Sequence, residues 1–154
     1  MLNCPVIDVR LVQDGTAPLP APRCVNRPSI AAAVFAELPA DRDRETVAGL
    51  LLATSHRPLR LYIVSVGTLD SAPLHPRDVF KAAILANAAN LITAHNHPSG
   101  DPTPSRADHE MLRRLARTGA FLGIRVLDYI IVGVGGAYWS AQAAGCMPLT
   151  SGLA

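Results

Sequence analysis

The protein has 154 residues, 49% of them hydrophobic and 17% charged, which suits one domain with a substantial core and excludes a disordered chain. A net charge of +2, spread over scattered arginines, provides no continuous cationic face for a phosphate backbone. Cys4, Cys24 and Cys146 are odd in number and lack CxxC spacing, which argues against a disulfide framework or a cysteine-bound zinc and fits a reducing cytoplasm.

The start, "MLNCPVIDVRLVQDG", lacks a basic segment followed by an apolar run, and no stretch is long enough to span a membrane, so neither signal peptide nor membrane segment is expected. Residues 1–27 form an extended, proline-rich arm with room for one strand in "VIDVRLV". Ser29 can cap a helix to about Leu38, which Pro39 ends. The connector "DRDRE" feeds "TVAGLLLAT", an apolar run of strand length. A turn at His56, Arg57 and Pro58 joins it to "RLYIVSVG", giving a hairpin. Pro76 suits the first turn of a helix whose apolar positions, Val79, Phe80, Ala83, Ile84 and Ala88, keep helical spacing. His75 reads as a helix-start residue. "NLITA" is a short buried strand ending at His95, and residues 98–104 form a loop by composition. Ser105 opens a helix expected to stop at Gly119. Its arginines, Arg106, Arg113, Arg114 and Arg117, read as a solvated face. "IRVLDYIIVG" and "AYWSA" are strands joined by a turn around Gly135 and Gly136. The irregular alternation predicts an α/β fold with a mixed sheet sandwiched by helices. The expected divisions are the arm 1–27, a domain over 28–145 and a tail 146–154.

The chemistry concentrates in "HNHPSGDPTPSRAD". Residues i and i+2 of a strand share a face, so His95 and His97 project together while Asn96 points away. A divalent metal would unite two adjacent imidazoles, and catalytic zinc usually takes three protein ligands plus water. The loop 98–104 folds back, so Asp108, in the first turn of the next helix, is the natural third ligand. Asp108 with Ser105 also forms an S-x-x-D capping box, which by itself accounts for both residues. His109 lies about 100° around the helix from Asp108 and is a poor rival. Asp101 is an outer partner or a turn residue. A hydrolase also needs a base. Glu110 should face away from the metal and Glu37 reads as a solvent residue. Glu45, at the start of a buried strand, either reaches the site or is the last charge of the connector.

These residues resemble the JAMM motif of the JAB1/MPN metalloproteases: His95, His97, Ser105 and Asp108, with Glu45 ahead of an apolar strand. More narrowly, the run from "VSVGTLDSAPLHPRDVF" through "HNHPSGDPTPS" to "LGIRVLDYIIVG" resembles the bacterial RadC family over roughly Pro28 to Ser140. The resemblance implies a cytidine-deaminase-like α/β sandwich and one zinc per chain held by His95, His97 and Asp108. It implies Glu45 as general acid/base and Ser105 as support for the oxyanion or the attacking water. The implied activity is hydrolysis of a peptide or isopeptide bond in a peptide or protein substrate by zinc-activated water. The alternative is a non-catalytic MPN-like binding module, with DNA or repair proteins as partners through the family's association with DNA repair. This sequence departs from the family pattern in three ways. The helical segment that precedes the JAB domain in full-length members is not found in these residues. Tyr129 stands where histidine usually follows the Leu-Asp pair, and "SAQAAG" lacks the acidic residues common near the family's C-terminus. A second metal, as in two-metal nucleases, and a basic groove have no support in the sequence.

Overall fold

A computed structural model describes residues 10–12, 22–38, 44–67 and 74–149. The helix α1 (Pro28–Ala36) is followed by β1 (Thr46–Leu52), β2 (Pro58–Val66), α2 (Pro76–Leu85), β3 (Asn90–Asn96), α3 (Arg106–Leu122), β4 (Arg125–Val132) and β5 (Tyr138–Ser140). The five strands form one sheet in the order β2-β1-β3-β4-β5. β1 runs antiparallel to β2 and β3, β3 and β4 are parallel, and β5 returns antiparallel to β4. This is the mixed α/β sheet expected, with the β1–β2 hairpin in place. The strand expected in the arm lies for the most part outside the described residues.

Helices cover both faces because the strands carry apolar side chains on both sides. On one face α1 packs Ala31, Val34 and Phe35 against Leu50, Ile92 and Ile130. On the other, α2 and α3 pack Phe80, Leu112 and Leu115 against Leu51, Leu91 and Ile131. β1 is accordingly buried at every position. Among the described residues no helix is long and apolar enough to cross a membrane.

α3 does not stop at Gly119; it continues to Leu122 and ends at Gly123, whose left-handed φ of 70° is the usual helix terminator. Gly119 is instead a contact glycine. A Cβ there would lie 2.4 Å from the Ile124 backbone oxygen and 3.2 Å from Phe80. Its missing side chain lets α3 press onto α2 and the start of β4, a requirement that outweighs the helix propensity lost. α2 is also shorter than its apolar spacing suggested, ending at Leu85, and Asn87 takes a positive φ in the turn to β3.

Candidate metal centre

Strand alternation sets the first part of the site. His95 faces α3 and is buried, with 1% of its side chain exposed, and His97 lies just beyond the end of β3. The Nε2 atoms of the two rings are 3.0 Å apart. The Nδ1 of His97 lies 2.8 Å from the Asp101 carbonyl oxygen, to which it can donate. That bond leaves Nε2 free to serve as a ligand, an arrangement typical of metal-binding histidines. The loop is folded tightly enough to deliver this carbonyl. The Gly100 N–H donates to the His97 carbonyl, and Thr103 donates through its N–H and hydroxyl to Asp101 Oδ1 at 2.9 and 2.7 Å. Those two bonds hold the exposed Asp101 carboxyl below its usual range. Asp101 thus approaches the site through its backbone, and its carboxylate stands outside the group of potential ligands.

The second part comes from the start of α3. Ser105 is the N-cap: its hydroxyl accepts from the Asp108 N–H at 3.2 Å and donates to Asp108 Oδ2 at 2.6 Å. The Ser105 N–H donates to the same oxygen at 2.7 Å, completing the capping box. The cap turns Asp108 towards the strand end, where Oδ1 is 3.1 Å from His95 Nε2 and Oδ2 is 3.4 Å from His97 Nε2. Burial acts to raise the Asp108 carboxyl, but hydrogen bonds from His95 and Ser105 and the charge of His95 outweigh it and hold the group well below the ordinary carboxylate range.

His95, His97 and Asp108 form the one group of potential metal ligands found among the described residues. The two Nε2 atoms are 3.0 Å apart and each lies within 3.4 Å of one or the other Asp108 oxygen, spacings near the edge of about 3.3–3.6 Å of a tetrahedron with ligands at about 2.0–2.2 Å. Two imidazoles and a carboxylate are also a donor set that suits zinc and other borderline divalent ions. The residues therefore fit a metal. One feature is unsatisfied: His95 Nδ1 is buried without a hydrogen-bond partner, as is the hydroxyl of Thr93 two residues earlier on the same strand.

Glu45, the residue with the least sequence support, faces a cavity that two of the potential ligands also line. It lines this cavity of about 640 Å³ together with His97, Asp101, Ser105, Asp108 and Tyr129. Its carbonyl accepts from the Gly67 N–H at 2.8 Å, which ties it to the end of β2. The other acids and histidines lie elsewhere. Glu110 pairs with Arg106 on the exposed side of α3, and Glu37 is exposed at the end of α1. His109 packs edge-on against Trp139. His75 caps α2 by accepting from the Arg77 N–H, the helix-start role expected.

Sequence reasoning did not identify three contributors. The buried Tyr129 donates its hydroxyl to Asp108 Oδ1 at 3.3 Å, and its ring centroid is 5.3 Å from that of His95. Burial first, and then the charges of Asp108 and Glu45, push its phenol far up. A β-bulge brings it there: Leu91 pairs with Val126 but Ile92 pairs with Asp128, so Leu127 is skipped and Tyr129 turns to the His95 face. No sequence period signals such a slip. Asp128 is buried and accepts from Ser140 Oγ at 2.6 Å, Tyr129 N–H at 2.8 Å and Gln142 N–H at 3.0 Å. Burial raises its carboxyl despite these donors. The third contributor is Asn96, whose amide accepts from the Thr46 N–H and donates to the Arg44 carbonyl, both at 2.9 Å.

The profile of the RadC-like JAB domain family matches residues 25–146. The chain is 52% identical over 93 residues to a UPF0758 protein of Desulforamulus reducens, covering 60% of this chain and 41% of that protein. It is 50% identical over 109 residues to a UPF0758 protein of Desulforudis audaxviator, covering 71% and 47%. A UPF0758 protein of Trichlorobacter lovleyi is 49% identical over 107 residues, covering 70% and 46%. The chain therefore spans less than half the length of these relatives.

Proposed function

The chain belongs to the RadC-like JAB domain family, and from that premise and the site geometry we propose that it is a zinc-dependent hydrolase of peptide or isopeptide bonds. The observation that carries this reading is the convergence of His95, His97 and Asp108 within 3.0–3.4 Å, with Glu45 in the same cavity. A zinc ion bound by these three side chains would supply Lewis acidity, polarising the scissile carbonyl and lowering the pKa of water towards about 7. Glu45 takes the proton of the attacking water and delivers it to the leaving amine. Ser105 stands beside the same space. Its hydroxyl, which now donates to Asp108 Oδ2, can turn its proton to the developing oxyanion while the Ser105 N–H keeps Asp108 oriented, a type of contribution worth about 3–4 kcal/mol. Tyr129 holds the second oxygen of Asp108 and screens it from bulk water.

A second reading, a metal-free binding module, draws on the saturation of Asp108: both its oxygens already accept protein hydrogen bonds. Elemental analysis and a Glu45→Gln variant separate the two. The hydrolase reading expects one zinc per purified chain, retained in Glu45→Gln with loss of turnover on isopeptide-linked and peptide substrates, and lost together with turnover in His97→Ala. A wild-type protein that takes up no stoichiometric zinc would leave the binding module.

A further inference from the structure

We infer that Asn96, the residue between the two histidine ligands, is the positioning residue that holds Glu45 against the metal site; the inference rests on the hydrolase reading above. Backbone pairing between β1 and β3 ends at Val47 opposite His95. One residue further, the Asn96 side-chain amide takes over the role of a strand backbone. Its Oδ1 accepts from the Thr46 N–H and its Nδ2 donates to the Arg44 carbonyl, each at 2.9 Å. These are the residues on either side of Glu45. The third constraint is the Gly67 N–H, which donates to the Glu45 carbonyl at 2.8 Å from the β2 side. Glu45 is thereby pinned through its own carbonyl and both neighbours, although it lies outside β1, whose first residue is Thr46.

Period-two alternation makes the arrangement economical. His95 and His97 face the metal site, and Asn96, facing the other way, reaches across to β1. The ligands and the clamp are consecutive residues of one strand end, so Glu45 is referenced to the histidines rather than to a separate loop. A proton-transfer group displaced by about 1 Å can cost about a hundredfold in rate, so such a reference has functional weight. A polar side chain serves here because it must present one acceptor and one donor in a peptide-like spacing, which asparagine does and a hydroxyl residue of that length does not.

The test reads the position of Glu45 without needing a substrate. The chain has three glutamates, Glu37, Glu45 and Glu110, so an isotope label in the glutamate side-chain carboxyl gives three NMR signals, and Glu45→Gln identifies one by its disappearance. With one equivalent of cobalt(II) as the probe ion, the Glu45 signal of the wild type should be strongly shifted and broadened, because paramagnetic effects fall steeply with distance. Asn96→Leu should bind the same single equivalent of cobalt(II), while its Glu45 signal narrows and returns towards its metal-free position. Cobalt(II) bound by both proteins with identical Glu45 signals would overturn the clamp and leave the hydrolase reading intact. A wild type that binds no cobalt(II) would overturn that reading and the clamp with it. Should Asn96→Leu fail to fold, Asn96→Asp, which keeps the acceptor for Thr46 but loses the donor to Arg44, should show an intermediate Glu45 signal. In the wild type the Thr46 amide should exchange as slowly as those within β1, and rapid exchange would count against the clamp.

Discussion

Ser105→Ala separates the structural duty of the capping box from the chemistry beside it. The serine hydroxyl makes two contacts, accepting from the Asp108 N–H at 3.2 Å and donating to Asp108 Oδ2 at 2.6 Å. Loss of an N-cap of this kind costs about 1 kcal/mol. A hydrogen bond to a charged, partly buried carboxylate contributes about 1.5–3 kcal/mol. The lower end applies, because Oδ2 keeps the Ser105 N–H at 2.7 Å. Metal-free Ser105→Ala should therefore be about 2–3 kcal/mol less stable than wild type, lowering the urea midpoint by about 1 M. Chelator must be present throughout, since bound metal would stabilise the two proteins unequally. The difference should also depend on pH. The Asp108 carboxyl is held below its ordinary 3.8 in the folded protein, so its contribution is complete above that value and lost as the pH falls through the lower folded value. The gap between wild type and Ser105→Ala should accordingly be widest near neutral pH and close on acidification. Ser105→Thr, which keeps a capping hydroxyl, should stay near the wild type. A Ser105→Ala protein within about 0.5 kcal/mol of wild type at neutral pH, the range of an ordinary surface change, would refute the reasoning.

Gly119→Ala tests the corrected reading of α3: replacing a mid-helix glycine should gain about 1 kcal/mol, but the new Cβ would meet the Ile124 backbone oxygen at 2.4 Å, so a net loss of about 1–3 kcal/mol is expected in urea unfolding, and a stabilised variant would refute the contact. Asp128→Asn tests the buried carboxyl. Because the folded value of Asp128 is raised above 3.8, the protonated form is favoured by the fold, a contribution present below that value and lost as the pH rises through the folded one. Asp128→Asn should therefore gain stability relative to wild type as the pH is raised from acid to neutral, and a pH-independent difference would exclude the burial argument. Metal removal should leave the fold standing, since the capping box and the His97–Asp101 bond are made by protein atoms alone; far-UV circular dichroism before and after chelation should coincide.

Much of this was legible in the chain. The H-x-H spacing fixes two rings on one strand face, and S-x-x-D fixes a helix start, so His95, His97, Ser105 and Asp108 each follow from a local period. The sheet order did not, and with it went Tyr129 and Asn96. Tyr129 reaches Asp108 only because β4 skips Leu127 against β3, and Asn96 meets residues 50 and 52 positions away. Both contacts are products of long-range pairing, for which the sequence carries no spacing rule. Gly119 was misread because a glycine late in a helical run has two explanations, a stop or a close approach, and only the position of Ile124 separates them.

The position of Asp108 explains how one residue can cap a helix and also join a group of potential metal ligands. A carboxylate in the first turn of a helix is stabilised by the unsatisfied N–H groups and the positive end of the helix dipole, so α3 benefits from it with or without an ion. The same cap aims the carboxylate at the end of β3, a parallel neighbour of the strand that follows α3. The β3–loop–α3–β4 unit thus brings a helix start over a strand end, as parallel connections do. β1, antiparallel beside β3, begins at that same end, with Glu45 immediately before its first residue. The potential ligands His95, His97 and Asp108 come together, with Glu45 on the same cavity, because the end of β3 and the starts of α3 and β1 lie at one end of the sheet. The local bonds that finish each end, the Ser105 cap, the Asp101 carbonyl on His97 and the Asn96 amide on β1, set the remaining distances.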